Sequence, residues 1–335
     1  MSRPRMGVLL AIMAALLAGM AQAQETPAKG PASPAAPVAA TAPAAASGQA
    51  ADAEPDPGPN ATIETLRLGA LDMRARHVRP PGSGLATMLL VHDTLGAFDD
   101  PLISRLQTAL AAEGHASLAI NLTLGVSARD GALSCNQRHT HRHGDALEEI
   151  DAWTDWLLGE GLGPVVLVGH GRGGAQAAWY LAKRAGDRVA AAVLLAPTGW
   201  TPRMADTEYR ARYAAGLAAL LTRIAGLEPG DVVENVPFLH CGAVDATKAS
   251  IQSYYGVEPM RDTPTALASV ETPILTLMPG VAGEDDDTAR RLAEMDNPYI
   301  ATRRIEGADA QFQGGAFEVM IDAIEAYYRS IFRDR

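Results

Sequence analysis

The chain has 335 residues, 47% of them hydrophobic, and carries a formal net charge of −11 at pH 7. A chain this long and apolar can bury one large core or two modest ones, which excludes a wholly disordered protein. The acidic balance argues against nucleic acid as a partner, because phosphate binding requires a basic face. The 2 cysteines exclude a four-cysteine zinc site but allow one disulfide.

The first 23 residues have the pattern of a secretory signal. Arg3 and Arg5 form a basic start, residues 7–20 are apolar, and Ala21-Gln22-Ala23 is an A-x-A cleavage site. The apolar run is shorter than the ~20 residues that a membrane-spanning helix needs. We therefore expect residues 1–23 to be a signal peptide and the protein to be periplasmic or secreted, with no membrane span after cleavage. The alternative is an uncleaved membrane anchor.

Residues 24–60 consist mainly of Ala, Pro, Gly and Ser. Such a segment cannot bury enough apolar surface to offset the entropy of ordering it, so it is predicted to be a disordered tether. The folded part is then expected at 61–335, a size that suits one α/β domain. No internal repeat is evident.

The folded part begins with a predicted antiparallel hairpin at 63–79, after which short apolar runs alternate with helical patterns. Strands are predicted at 87–91, 117–120, 164–168, 189–195, 273–277 and 300–305, and helices at 101–113, 145–158, 174–184 and 317–332. Continuous apolar strands between helices indicate a mostly parallel sheet covered by helices on both faces. Residues 204–241 interrupt this alternation with a helical pattern, which predicts an inserted cap at about 200–260.

The third of these strands runs into Gly169-His170-Gly171-Arg172-Gly173-Gly174 and then into a helix. A glycine-flanked strand-to-helix turn is the setting of the G-x-S-x-G nucleophile elbow. Over residues 65–332 the chain resembles the alpha/beta-hydrolase superfamily, most of all a set of secreted bacterial members. The resemblance implies an alpha/beta-hydrolase fold with a helical cap insertion.

The residues that would carry catalysis depart from the family pattern. Gly171 stands at the nucleophile position and Ala310 at the histidine position. The acid is expected within 284–287, where Asp286 is the assigned candidate. The family's His-Gly pair, which supplies an oxyanion-hole amide, is replaced by His92-Asp93, and a carboxylate there would repel a developing oxyanion.

These departures predict a pseudo-hydrolase. Loss of the nucleophile alone costs on the order of 10⁶ in turnover, whereas a glycine relieves the backbone strain of the elbow. We expect no cofactor, and an unknown small molecule or periplasmic protein bound at the former active-site cleft. The candidate ligand-binding residues are His92, Asp93, His170, Gly171 and Arg172, of which Arg172 could hold an anion. The alternative is an esterase-like hydrolase that uses substituted residues or a metal site.

The metal alternative depends on His139, His141 and His143, which alternate after Cys135 and precede Asp145. In an extended loop, alternate side chains point the same way, so three imidazoles could converge on zinc with one open position. The other interpretation is that they hydrogen-bond the loop, cap the helix near Asp145 or line a pocket. We favour the structural role in the loop and expect no bound metal.

The family order places Cys135 and Cys241 in segments that flank the cleft. An exported chain meets an oxidising compartment, so we expect these two cysteines to form a disulfide.

The leader generates the first test. Cleavage after Ala23 is expected to leave a mature chain that begins at Gln24, because the A-x-A site ends there. Intact-mass measurement of protein from the native periplasm checks this. A mature chain that retains Arg3 and Arg5 would contradict the export prediction.

Overall fold

A computed structural model describes residues 60–84, 86–281 and 286–332. The predicted leader at 1–23 and tether at 24–60 lie outside the described residues, apart from Asn60. The main sheet has eight strands in the order β1-β2-β4-β3-β5-β6-β9-β10. These strands are β1 (Ala61–Leu68), β2 (Leu71–Val78), β3 (Thr87–Val91), β4 (Ala116–Asn121), β5 (Val165–His170), β6 (Val189–Leu195), β9 (Ile274–Pro279) and β10 (Ile300–Ile305).

The leading hairpin is antiparallel, and β2 also pairs antiparallel with β4. All the other neighbours in this sheet are parallel. Every residue of β3, β4 and β5 is buried, as expected when helices cover both faces of a parallel sheet. The mostly parallel architecture predicted from the sequence is therefore confirmed.

Helices cover the sheet on two sides and create two apolar cores. The helices that follow or precede the strands are α1 (Pro101–Ala112), α2 (Asp145–Gly159), α3 (Gly171–Lys183), α8 (Asp286–Ala293) and α9 (Gly315–Phe332). Helix α3 begins three residues earlier than predicted, because the chain turns directly from strand into helix at Gly171. Among the described residues, no helix has the length and apolarity that crossing a bilayer requires.

The insertion between β6 and β9 contains both helices and strands. Its elements are α4 (Pro202–Tyr213), α5 (Leu217–Ile224), β7 (Val232–Phe238), β8 (Cys241–Thr247), α6 (Lys248–Tyr255) and α7 (Thr263–Leu267). The helical prediction for 204–241 holds for its first half, but Val232–Phe238 pairs antiparallel with β8. The reason is that Val233, Val236 and Phe238 are the buried residues of β7, and this spacing, with a register shift, fits a hairpin better than a helix.

The predicted disulfide between Cys135 and Cys241 is confirmed, with the two Cα atoms 5.5 Å apart. It joins the loop after β4 to the first residue of β8. The same loop makes a second attachment, because the His139 amide donates to Asp245 O at 2.8 Å and the Thr247 amide donates to His139 O at 3.0 Å. Residues 135–145 are thereby fixed to the hairpin of the insertion.

The disulfide spans 106 residues of sequence, so its removal should cost considerable stability. We expect Cys135→Ala with Cys241→Ala to lower the free energy of unfolding by about 2–5 kcal/mol, the usual cost of losing a native disulfide. Urea unfolding of both proteins measures this. An unchanged midpoint would contradict the structural role assigned to the bond.

Candidate functional site

The site is built around the turn from β5 into α3. Gly171 is the first residue of α3 and has φ +54°, a left-handed conformation that glycine adopts without strain. Two positions later, a Cβ on Gly173 would lie 2.3 Å from His92 O. The sequence Gly-x-Gly is therefore required both for the turn and for the close approach of α3 to the end of β3.

Asp93 occupies the space in which a nucleophilic side chain would stand. A Cβ built on Gly171 would lie 2.3 Å from both Cγ and Oδ1 of Asp93. The same Oδ1 accepts a hydrogen bond of 2.7 Å from the Arg172 amide and one of 3.1 Å from the Thr94 hydroxyl. The Asp93 side chain thus lies directly over the elbow.

One of these hydrogen bonds comes from the amide that, in a catalytic elbow, would donate to the substrate oxyanion. In the nucleophile-elbow arrangement, the N–H after the nucleophile is one of two oxyanion donors, and here that N–H belongs to Arg172. Burial raises the pKa of Asp93, but the electrostatic interaction with His170 and the amides of Arg172 and Thr94 outweigh it, so the net pKa is lowered. Asp93 is therefore an anion at neutral pH, and it accepts a hydrogen bond from the amide that would be an oxyanion donor in a catalytic elbow.

Ala310, the predicted histidine position, lies in the loop after β10. His170 is 3% exposed, and its Nε2 is 2.8 Å from Ala310 O, a contact in which the imidazole donates to the carbonyl. His170 therefore ties the elbow to the loop where the family carries its histidine.

The acid is predicted within residues 284–287. Asp286 begins α8, but its side chain lies outside the described residues, as do Glu284 and Asp285. Asp287 is described, and its carboxylate pairs with Arg290 at 2.7 Å.

His92 is buried, and both of its ring nitrogens are engaged within the protein. Nδ1 is 2.7 Å from Asp93 O, and Nε2 is 3.1 Å from the Leu122 amide that donates to it. Burial, with the charge of Arg129, lowers the pKa of His92 to about 3. His92 is therefore neutral, and it holds the loop that presents Asp93.

Arg172, the candidate for anion binding, reaches from the elbow toward the insertion. Its Nε donates to Thr94 Oγ1 at 2.9 Å, and its guanidinium carbon lies 5.4 Å from the centroid of the Tyr254 ring. Arg172 is half-buried between the loop after β3 and helix α6.

The three alternating histidines are all buried against aromatic rings. The structure places His139 Nδ1 3.1 Å from His141 Nε2, and His141 Nδ1 2.8 Å from the Tyr254 hydroxyl. The His143 ring stacks on Trp179 at 5.9 Å. Burial lowers the pKa of all three, that of His141 to about 3, so they are uncharged.

The described residues contain no group of three or more His, Cys, Asp or Glu side chains arranged to hold a metal. The expectation that the histidines cap α2 is wrong. The N-cap of that helix is Gly144, with no side-chain bond, and Asp145 instead accepts from the Arg142 amide at 2.7 Å. The histidines serve the contact between this loop and the insertion.

Two buried charged residues near the site were missed by the sequence analysis. Glu149 accepts bonds of 2.7 Å from the amide and hydroxyl of Thr123, and burial raises its pKa to about 7. Its spacing from Ala146 and Trp153 on α2 could have indicated burial. Arg261 is buried beside Trp200, and no pattern in the neighbouring sequence indicates this burial.

A separate cleft of about 490 Å³ is lined by Leu181, Ala182, Gly186, Asp187, Val189, residues 269–273 and Tyr299. It lies at the amino ends of β6, β9 and β10, whereas the elbow follows the carboxyl end of β5. It therefore has no connection with the elbow.

Comparisons with known proteins agree with the fold described above. The sequence model of the Alpha/beta hydrolase family matches residues 88–316. Comparison with curated proteins finds no match. Among solved structures, Est1E from Butyrivibrio proteoclasticus aligns with 81% of this chain and 99% of its own, at 13% identity and a TM-score of 0.58.

Two further structures have the same level of similarity. A soluble variant of monoglyceride lipase from Saccharomyces cerevisiae aligns with 81% of this chain and 96% of its own, at 10% identity and a TM-score of 0.59. Alpha/beta hydrolase GrgF from Penicillium sp. sh18 aligns with 82% and 99%, at 15% identity and a TM-score of 0.59. At such identities the likeness concerns the fold.

The contact between Gly171 and Asp93 can be measured as a coupling energy. Gly171→Ala should lower the free energy of unfolding by about 2–4 kcal/mol, because the new Cβ meets Asp93 and the backbone is left-handed. In an Asp93→Gly background only the backbone strain remains, about 1–2 kcal/mol. Urea unfolding of the wild type, the two single variants and the double variant gives the difference between the two costs of Gly171→Ala.

Gly159→Ala is the matched control, since a Cβ there meets nothing within 4 Å and should be neutral or stabilising. Equal costs of Gly171→Ala in the two backgrounds would show that Asp93 does not occupy this space.

Proposed function

The chain belongs to the alpha/beta hydrolase family, and on this basis we propose that it is an exported member that no longer hydrolyses. Its role would be to bind a small molecule or a periplasmic protein in the cleft beneath the insertion. The observation that supports this most strongly is the Asp93 carboxylate, which lies 2.3 Å from the Cβ position of residue 171 and bonds to the Arg172 amide.

The energetic argument has three parts. Without a side chain at 171 there is no attacking group, a loss on the order of 10⁶ in turnover. The imidazole at residue 310 is that of His170, and because its Nε2 donates to Ala310 O, it is not free to take the proton of a restored serine hydroxyl. With Asp93 in the oxyanion site, a developing negative charge would meet a like charge instead of a donor, and one lost donor alone costs about 2.7–4 kcal/mol of transition-state stabilisation.

Export is supported by the Cys135–Cys241 disulfide, since such bonds form and persist in oxidising compartments. The basic start, the apolar run and the A-x-A site give the same localisation.

A second candidate function follows from the same carboxylate. Asp93 is ionised and stands where the nucleophile would be, so the second candidate is an esterase-like reaction that uses Asp93 as nucleophile or base. The hydrogen bonds to Arg172 and Thr94 weigh against it, because they hold the carboxylate and lower its basicity. Asp93→Asn separates the two functions.

Turnover of p-nitrophenyl acetate and butyrate is the decisive assay. We expect the wild type, Asp93→Asn and Gly171→Ser all to match the buffer blank. The triple change Asp93→Gly, Gly171→Ser and Ala310→His should recover weak turnover, because it clears the oxyanion site and restores nucleophile and base together.

The triple change with Gly171→Ala in place of Gly171→Ser is the matched control, since it lacks only the nucleophile. Circular dichroism verifies that each variant is folded. Wild-type turnover that Asp93→Asn abolishes would replace the pseudo-hydrolase with a carboxylate-based enzyme. Full activity of Gly171→Ser alone would also contradict the proposal.

A further inference from the structure

Arg261 is a buried cation within the insertion, on the segment between α6 and α7. Its side chain is 2% exposed, and its guanidinium carbon lies 4.2 Å from the centroid of the Trp200 ring. Nη1 donates to the backbone carbonyl of Tyr254. One face and one nitrogen of the guanidinium are thus fixed by the protein.

The opposite edge of the same group has no partner. Nε and Nη2 of Arg261 are buried without a hydrogen bond to any described residue. These two N–H groups lie side by side and parallel, the geometry that matches the two oxygens of a carboxylate or phosphate. A buried charge without a counter-charge is costly, so an unused fork at this depth indicates an absent anion.

The carboxylates beside Arg261 in sequence are already engaged. Asp262 is held by both Nη atoms of Arg291 and accepts from the Trp200 amide at 3.0 Å. Glu258 accepts from the Met260 amide at 3.1 Å, and only its longer-range charge acts on Arg261. Neither of them occupies the free edge.

Other polar groups converge on the same place through Tyr254. The guanidinium of Arg172 and the ring of His143 both lie 5.4 Å from the Tyr254 ring. His143 is 1% exposed, and neither of its ring nitrogens has a described partner. Burial and the charges of Arg172 and Arg261 hold the pKa of His143 well below its usual range, so it is a neutral group available for hydrogen bonding.

The charge balance of this cluster favours a ligand with a single negative charge. Burial, with the charge of Arg172, lowers the pKa of Arg261 only to about 10, so it stays protonated at neutral pH. Arg172 adds a second positive charge, and Asp93, bonded to the Arg172 amide, supplies one negative charge. Among these three groups one positive charge remains, and the carboxylate of Glu258 acts on Arg261 only at longer range.

We propose that the Nε–Nη2 edge of Arg261 binds the carboxylate of a small organic acid beneath the insertion, with Arg172 and His143 adjacent to it. This names the ligand class of the cleft and rests on the function proposed above. The aromatic rings of Trp200 and Tyr254 favour an organic monocarboxylate over inorganic phosphate.

The segment that carries Arg261 is bonded to the elbow. Thr263 Oγ1 donates to Thr198 O at 2.7 Å, and the Thr198 amide donates to Gly171 O at 3.2 Å. The segment that carries the proposed carboxylate site is therefore hydrogen-bonded to the elbow.

Isothermal titration calorimetry of the mature protein tests the proposal with benzoate, butyrate, methyl benzoate and inorganic phosphate. We expect benzoate to bind and methyl benzoate, which has lost the charge, to bind at least ~10-fold more weakly. Arg261→Lys keeps the charge without the fork and should weaken benzoate binding by about 10-fold or more. Arg261→Gln should abolish it.

Arg290→Gln, on the exposed side of α8, is the matched control and should leave binding unchanged. Thermal melts without ligand provide a second measurement. Arg261→Met, which removes the buried charge and keeps the volume, should not lower Tm, because an unpaired buried charge contributes no stability.

Equal binding of benzoate and methyl benzoate, or unchanged binding by Arg261→Lys, would overturn the proposal. So would binding of phosphate alone, or binding of none of the probes to the wild type. The comparison of benzoate with its ester uses the wild type only, so it stands even where a variant fails to fold. Absence of benzoate binding would overturn the carboxylate site and would not change the result of the ester assay. Wild-type esterase activity would overturn the pseudo-hydrolase and would not overturn the carboxylate site.

Discussion

The contact between the Asp93 carboxylate and the backbone at Gly171 is the constraint on which the rest of the site depends. No side chain fits at residue 171 while Asp93 bonds to the Arg172 amide. In the proposed pseudo-hydrolase, the glycine at the predicted nucleophile position and the aspartate in the predicted oxyanion loop therefore depend on each other. Once both are present, a base at residue 310 has no nucleophile to activate, and His170 instead bonds to the backbone of Ala310.

The insertion is held to the loop after β4 by buried, uncharged groups. The disulfide at Cys241 and the backbone bonds of His139 join the loop after β4 to the hairpin. The imidazoles of His139 and His141 then connect this loop to Tyr254 on α6. Such a bonded polar cluster rigidifies the insertion. It also fixes Tyr254, which contacts Arg172, His143 and Arg261.

Much of the fold was predictable because its signals are local. Buried parallel strands appear as continuous apolar runs, and Gly169 to Gly174 marks the strand-to-helix turn. The hairpin of the insertion was not predicted, because the register shifts in β7 hide the period of two. The sequence predicted Asp93 beside the oxyanion, but its hydrogen bond to the Arg172 amide depends on the packing of two segments 79 residues apart. Arg261 was missed because an unused guanidinium edge is a property of packing, and no motif records it.

The most direct test of the account is NMR titration of Asp93 together with the Arg172 amide. The account predicts that the Asp93 carboxyl titrates with a pKa below that of an ordinary aspartate, because the amides of Arg172 and Thr94 and the electrostatic interaction with His170 stabilise the anion. The Arg172 amide proton should follow the same titration, since it donates to that carboxylate. An Asp93 pKa at or above the ordinary value, with an Arg172 amide that does not respond, would show that the carboxylate does not fill the oxyanion site.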